Sequence, residues 1–164
     1  MMMTRFTLAA AVILFATAAP VRAQIAVMLV RHAEKVDESR DPLLSAAGKA
    51  RARALARHLR SAGVKAIYVT EFRRTLLTAA PLAAAAGLQP VVLSADQTQA
   101  LVDRIRKDNP HDVVLVVGHS DTVPEVLRRL GHAQPVTIGA SEYDNLFVAI
   151  PRPEGAPAVL RLRY

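Results

Sequence analysis

Residues 25–35, IAVMLVRHAEK, constrain the fold more tightly than any other stretch: an apolar run stops abruptly in Arg31 and His32. An uninterrupted run of this length fits a strand buried on both faces, and such strands belong to parallel sheets covered by helices. Residues 113–119, VVLVVGH, have the same build and again end in a histidine, His119. Between them, residues 67–79, IYVTEFRRTLLTA, run from a short strand into a helix carrying Arg73 and Arg74. In an open parallel sheet, ligands sit beyond the carboxyl ends of the strands. Three strand ends bearing arginine and histidine are therefore expected to converge on one anion, a phosphate group.

Strand and helix patterns alternate along the rest of the chain. A strand over 25–31 leads through a polar, acidic loop (33–44) to a helix capped by Ser45. Its apolar face is Ala52, Leu55, Ala56 and Leu59, and Gly63 is its stop. After a strand over 66–69, Thr70 is expected to cap a second helix, which Pro81 should kink or break near Ala80 and Gly87 should end. A strand over 90–93 precedes a helix over 95–107 with Leu101, Val102 and Ile105 inward. The strand over 112–118 reads as the central one. Thr122-Val123-Pro124-Glu125 matches a capping box with proline in the first turn. It opens a fourth helix that buries Val123, Val126, Leu127 and Leu130. Two strands, 146–150 and 158–162, close the chain. The expected fold is one α/β domain over 24–164, a three-layer α/β/α sandwich with a mostly parallel central sheet.

Residues 1–23 read as a secretory signal peptide: Arg5 before an apolar run over 6–19, then Val21-Arg22-Ala23 as a small-x-small cleavage site before Gln24. The run is shorter than the roughly 20 apolar residues of a membrane span. The expectation is export to the periplasm or beyond, with no stable membrane insertion after cleavage. The chain of 164 residues has no cysteine, which excludes disulfides and thiolate metal sites. Formal net charge is +7, with Arg5 and Arg22 inside the leader. Much of the remaining excess (Lys49, Arg51, Arg53, Arg57, Arg60) lies along one helix and reads as solvated surface. With aromatic residues at only 4%, base stacking has little to work with, and nucleic acid is not an expected partner. No histidine pair has helical metal-ligand spacing and the carboxylates are scattered, so no metal is expected. His58, His111 and His132 receive no role.

The converging residues have a definite chemistry. Two arginines offset the charge of a phosphate monoester with bidentate forks. Phosphoryl transfer depends mostly on positioning and on stabilising the equatorial oxygens. A neutral imidazole can attack phosphorus and form a phosphohistidine that water later hydrolyses, provided its other nitrogen donates to a carbonyl or carboxylate. A second, protonated histidine adds a donor. Taken singly, each motif would read as a polar cap or a solvated turn.

As an ordered set, the motifs resemble a known family. Arg31-His32-Ala33-Glu34 resembles the Arg-His-Gly/Ala-Glu signature of the histidine phosphatase superfamily, the phosphoglycerate-mutase-like branch (branch 1). Residues 72–79, FRRTLLTA, are similar to its second-arginine element, with Arg74 as the pocket arginine and Arg73 as its solvated neighbour. Val117-Gly118-His119-Ser120 resembles the second-histidine motif, and Leu44-Ser45-Ala46-Ala47-Gly48 the Leu-Thr/Ser-x-x-Gly helix start. The resemblance implies that His32 is the phosphorylated nucleophile. Arg31, Arg74 and His119 would complete the catalytic and substrate-binding pocket, with no metal or organic cofactor. Glu71 and Asp121 are the two candidates for a general acid, and Glu34 would orient the loop. The implied function is an exported phosphohydrolase acting on small phosphorylated substrates. Mutase-type phosphoryl transfer and a non-catalytic phosphate-binding module are the alternatives.

Overall fold

The computed structural model describes residues 26–152 and 154–164. The signal-peptide reading of residues 1–23 lies outside the described residues. Within them the order is β1 (Ala26–Arg31), α1 (Ala46–Leu59), β2 (Val64–Thr70), α2 (Arg73–Ala86) and β3 (Val91–Leu93). Then follow α3 (Thr98–Asp108), β4 (Val113–Gly118), α4 (Thr122–Arg129), β5 (Asn145–Ile150) and β6 (Ala158–Arg163).

The six strands form one sheet in the order β3-β2-β4-β1-β5-β6. The four on the β3 side run parallel, while β5 and β6 are antiparallel additions. The valine-rich β4 is central, between β1 and β2, as an unbroken apolar run requires. Its side chains alternate between two cores. Val114 and Val116 face Val102 and Ile105 of α3 and Val123, Val126 and Leu127 of α4. Leu115 and Val117 face Leu55 and Leu59 of α1 and Ala79, Leu82 and Ala83 of α2. This is the expected three-layer α/β/α sandwich. No helix among the described residues is long and apolar enough to cross a membrane.

Local expectations fared unevenly. Ser45 caps α1, its hydroxyl accepting from the Gly48 N–H at 3.1 Å, and Gly87 ends α2 in the left-handed region at φ 66°. Pro81, however, does not break α2, which continues to Ala86 because buried residues on both sides of the proline, Ala79, Leu82 and Ala83, fasten it to the sheet. Thr70 does not cap α2. The N-cap is Phe72, which has no side-chain cap, and Thr70 is the last residue of β2 with its hydroxyl engaged elsewhere. The capping box does not form either. Thr122 begins the helix proper, its hydroxyl accepts from the His119 N–H, and Asp121 caps its neighbour's amide instead. The helix read over 95–107 starts later, at Thr98.

Candidate active site

Strand register places the site. β1 and β4 pair so that Arg31 lies opposite Gly118, and the His32 amide donates to the Gly118 carbonyl at 2.9 Å. His32 and His119 therefore leave adjacent strands at the same edge, with ring centroids 5.3 Å apart. On the other side of β4, β2 delivers Thr70 beside the same edge, and α2 begins three residues later with Arg73 and Arg74. The structure thus brings Arg31, His32, Arg74 and His119 together at the carboxyl ends of three neighbouring parallel strands. Arg73 points to solvent, and its amide donates to Asp41 in the loop ahead of α1.

Each ring is held in a definite state. Nδ1 of His32 lies 2.8 Å from the Ala33 carbonyl oxygen, which can only accept, so the ring proton sits on Nδ1 and Nε2 carries a lone pair. Burial lowers the His32 pKa from 6.5 to about 3, helped by His119, Arg31 and Arg74, while the Ala33 carbonyl pulls the other way. His119 is lowered to about 4, first by burial and then by Arg74, with Asp121 and Glu71 opposing. Both imidazoles are neutral at physiological pH. A neutral imidazole with an outward lone pair is in the state that nucleophilic attack requires without a base.

The arginines are shaped for an oxyanion. Nη1 of Arg31 donates to the carbonyls of Gly139 and Ala140 at 3.0 and 2.8 Å, and more weakly to that of Glu142. Its guanidinium lies 4.1 Å from the centroid of the Tyr143 ring. That leaves the Nε–Nη2 edge, and Nε is buried with no partner among the described residues. Arg74 is similar. Nη1 donates to the Arg40 carbonyl, Nη2 faces His119 Nδ1 at 3.4 Å, Phe72 stacks at 4.2 Å, and a buried Nε has no partner among the described residues. Buried donors without acceptors cost free energy. Two of them on cations beside a lone-pair nitrogen mark a place built for an anion's oxygens.

The two candidate acids differ in their attachments. Glu71 is exposed and is bound by the loop before α3, accepting from the Ala95 N–H at 2.8 Å. Asp121 is exposed too, accepting from the Thr122 N–H at 2.8 Å at the start of α4. Glu34 lies outside the pocket. It pairs with Arg51 at 2.7 Å, and its backbone carbonyl accepts from Ser45. Its backbone also presses on Gly48, where an added Cβ would lie 2.2 Å from the Glu34 carbonyl oxygen. The Leu-Ser-x-x-Gly start of α1 and the acidic residue of the Arg-His element are thus two halves of one contact.

Sequence reasoning missed several participants. Thr70 and Thr75 form a buried pair behind His119. Thr78 accepts from the Ala33 N–H at 2.9 Å and donates to the Arg74 carbonyl at 2.7 Å, which ties α2 to the loop that carries His32. Tyr143 and the carbonyls of 139–142 shape Arg31. Only the hydroxyls carried a signal, a Thr-x-x-x-x-Thr-x-x-Thr run through the arginine element. Among the described residues no three His, Asp or Glu side chains gather as metal ligands would.

Comparisons with known proteins bear on the fold and on the amino-terminal segment. No curated protein matches the chain in sequence. Three solved structures share the fold: the protein histidine phosphatase SixA complexed with tungstate, a mycobacterial glucosyl-3-phosphoglycerate phosphatase, and a phosphoserine phosphatase in complex with 3-phosphoglyceric acid from Entamoeba histolytica. The first is 16% identical with a TM-score of 0.70, covering 84% of this chain and 96% of its own. The second is 14% identical with a TM-score of 0.70, covering 84% and 98%. The third is 16% identical with a TM-score of 0.65, covering 85% and 97%. The sequence model described as Histidine phosphatase superfamily (branch 1) matches residues 27–96, the segment that supplies Arg31, His32 and Arg74. Over that segment the chain is similar to the histidine phosphatase superfamily, branch 1, and it shares the sandwich fold of these solved phosphatases.

Proposed function

We propose that the protein is a phosphatase that cleaves phosphate monoesters through a phosphohistidine on His32, and that it works outside the cytoplasm. The observation that carries the reading is the pair of buried, unpartnered arginine Nε atoms flanking a histidine whose outward nitrogen is unprotonated. The protein histidine phosphatase SixA, the glucosyl-3-phosphoglycerate phosphatase and the phosphoserine phosphatase named above supply fold-level support.

The phosphoryl group binds with its oxygens on the Nε–Nη2 edges of Arg31 and Arg74. His32 Nε2 attacks phosphorus, a P–N bond forms as the ester P–O bond breaks, and the leaving oxygen takes a proton from Glu71, Asp121 or water. The Ala33 carbonyl steadies the positive charge that develops on the ring by accepting from Nδ1–H. Water then attacks the phosphohistidine. Its oxygen bonds to phosphorus, the P–N bond breaks, and the proton lost by water passes to the acid of the first step. Inorganic phosphate leaves and His32 is neutral again. The arginines hold the equatorial oxygens in both steps, joined by His119 once the bound phosphate dianion has drawn a proton from solvent onto its ring.

Turnover of p-nitrophenyl phosphate by the wild type and by His32→Ala tests the proposal. The variant should lose at least about a thousandfold in kcat. Equal rates would remove His32 from the chemistry. Retained vanadate binding without wild-type turnover would leave a binding module, and stoichiometric transfer to an added alcohol instead of water would indicate a mutase. Mass spectrometry of the secreted or periplasmic protein should find Gln24 first, and a cytoplasmic protein starting at Met1 would end the export reading.

A further inference from the structure

His119 is held at both ring nitrogens, and the polarity of each contact is fixed by what its partner can do. Arg74 Nη2, 3.4 Å from Nδ1, can only donate, so Nδ1 presents its lone pair and the ring proton sits on Nε2. Nε2 lies 2.9 Å from the Thr70 hydroxyl, which accepts that proton's hydrogen bond. Thr70 then donates to the Thr75 hydroxyl, 3.1 Å away. Thr75 donates in turn to the Phe72 carbonyl at 2.8 Å. The Thr70 carbonyl, 3.1 Å away, is a second acceptor for Thr75. A donor-only guanidinium thus stands at one end of this chain and acceptor-only carbonyls at the other, which sets the direction of every hydrogen bond between them. Thr70 is 8% exposed and Thr75 0%, which denies water the chance to substitute for either. His32 has the opposite arrangement, with its proton on Nδ1 and its lone pair on Nε2.

The geometry points to Thr70 as a positioning residue: by holding the His119 proton on Nε2, it keeps the lone pair of Nδ1 on the anion side of the ring, beside Arg74. There Nδ1 can take up a proton and donate it to a phosphate oxygen, a step that rests on the phosphatase reading above. The charged groups around the ring are Arg31 of β1, Arg74 of α2, Glu71 before α2 and Asp121 before α4. The cations oppose protonation of His119 until a phosphate dianion arrives to offset them. The device is compact because the turn from β2 into α2 supplies Thr70, Phe72, Arg74 and Thr75 together. One strand-to-helix turn therefore places the second arginine and sets the proton of the second histidine.

Imidazole 15N spectra of the purified protein at neutral pH, without phosphate, read the two tautomers directly. His32 should appear as Nδ1–H and His119 as Nε2–H, and a His119 protonated on Nδ1 would overturn the inference. Two substitutions then separate positioning from packing. Thr70→Val keeps the shape and removes the hydroxyl, whereas Thr70→Ser keeps the hydroxyl and removes a methyl. Losing one hydrogen bond at a charged site should lower kcat/KM on p-nitrophenyl phosphate about 10- to 100-fold in Thr70→Val, against less than about threefold in Thr70→Ser. The His119 resonances should become a mixture of tautomers in the valine variant. A serine variant worse than the valine one, or an unaltered His119 spectrum in Thr70→Val, would reduce Thr70 to a packing residue. A wild type that hydrolyses no phosphate ester would reject the phosphatase reading, and the spectra of wild type and Thr70→Val would still decide the role of Thr70.

Discussion

At Arg31 one guanidinium nitrogen is committed to the protein's own backbone, and that commitment decides which edge is left for a ligand. A lysine cannot bond those carbonyls and still offer a fork, so Arg31→Lys should weaken product inhibition by inorganic phosphate about 10- to 100-fold. An unchanged inhibition constant would mean that the Nε–Nη2 edge is not where the anion sits. The histidines give a second prediction. Their pKa values, about 3 for His32 and about 4 for His119, lie below the ordinary 6.5. Between these limits the unfolded chain binds protons that the folded one refuses. The contribution to stability is therefore complete above pH 6.5 and is lost as pH falls toward 3. His32→Gln should flatten the pH dependence of the urea-unfolding free energy across that window, and a slope equal to that of the wild type would show that the ring titrates normally. Arg31, His32 and His119 were legible in the sequence because each comes at the end of a strong strand signal, whereas Arg74 was legible only through its resemblance to the family's arginine motif. Thr70 was misread because a threonine before a helix is usually a cap, and here a neighbouring strand brings an imidazole that outcompetes the helix for its hydroxyl.

Among the elements, α1 is fixed to the loop after His32 by contact rather than by sequence proximity. Gly48 lets the Glu34 backbone approach the helix, and Arg51 one turn on grips the Glu34 carboxylate. In Gly48→Ala the new methyl would meet a backbone oxygen that has no room to retreat. The expected cost is about 1–3 kcal/mol, read from the midpoint of urea denaturation, with a fall in activity as the loop carrying His32 shifts. Full wild-type stability in that variant would mean that the loop and helix part easily. Helix and strand positions followed from periodicity, but their ends did not. The capping-box match at Thr122 failed because the His119 amide claimed the hydroxyl first. Pro81 was overruled by the packing of α2 on the sheet. In both cases a tertiary partner, invisible to a local pattern, took precedence over the local rule.

Across the whole molecule, the edge farthest from the arginine helix braces the pocket. Arg161 and Arg163 of β6 both pair with Glu142, whose carboxylate also accepts from the Gly139 N–H at 2.7 Å. That turn carries the carbonyls that hold Arg31. Glu142→Ala should therefore raise KM more than it lowers kcat, because it loosens a binding group without touching the nucleophile. A proportionate loss in kcat alone would contradict the brace. Nothing in the sequence marked the carbonyls of this turn as partners of Arg31, since backbone carbonyls carry no residue signature. The strand order has a further consequence. β1, which leads into His32, finds its two neighbours only in β4 and β5, so the middle of the sheet is closed by the most distant strand pairings among the described residues. Such long loop closures are slow. Refolding should consequently regain p-nitrophenyl phosphate turnover only with the last kinetic phase, long after helical ellipticity has recovered, and an early-collapsing species should be inactive.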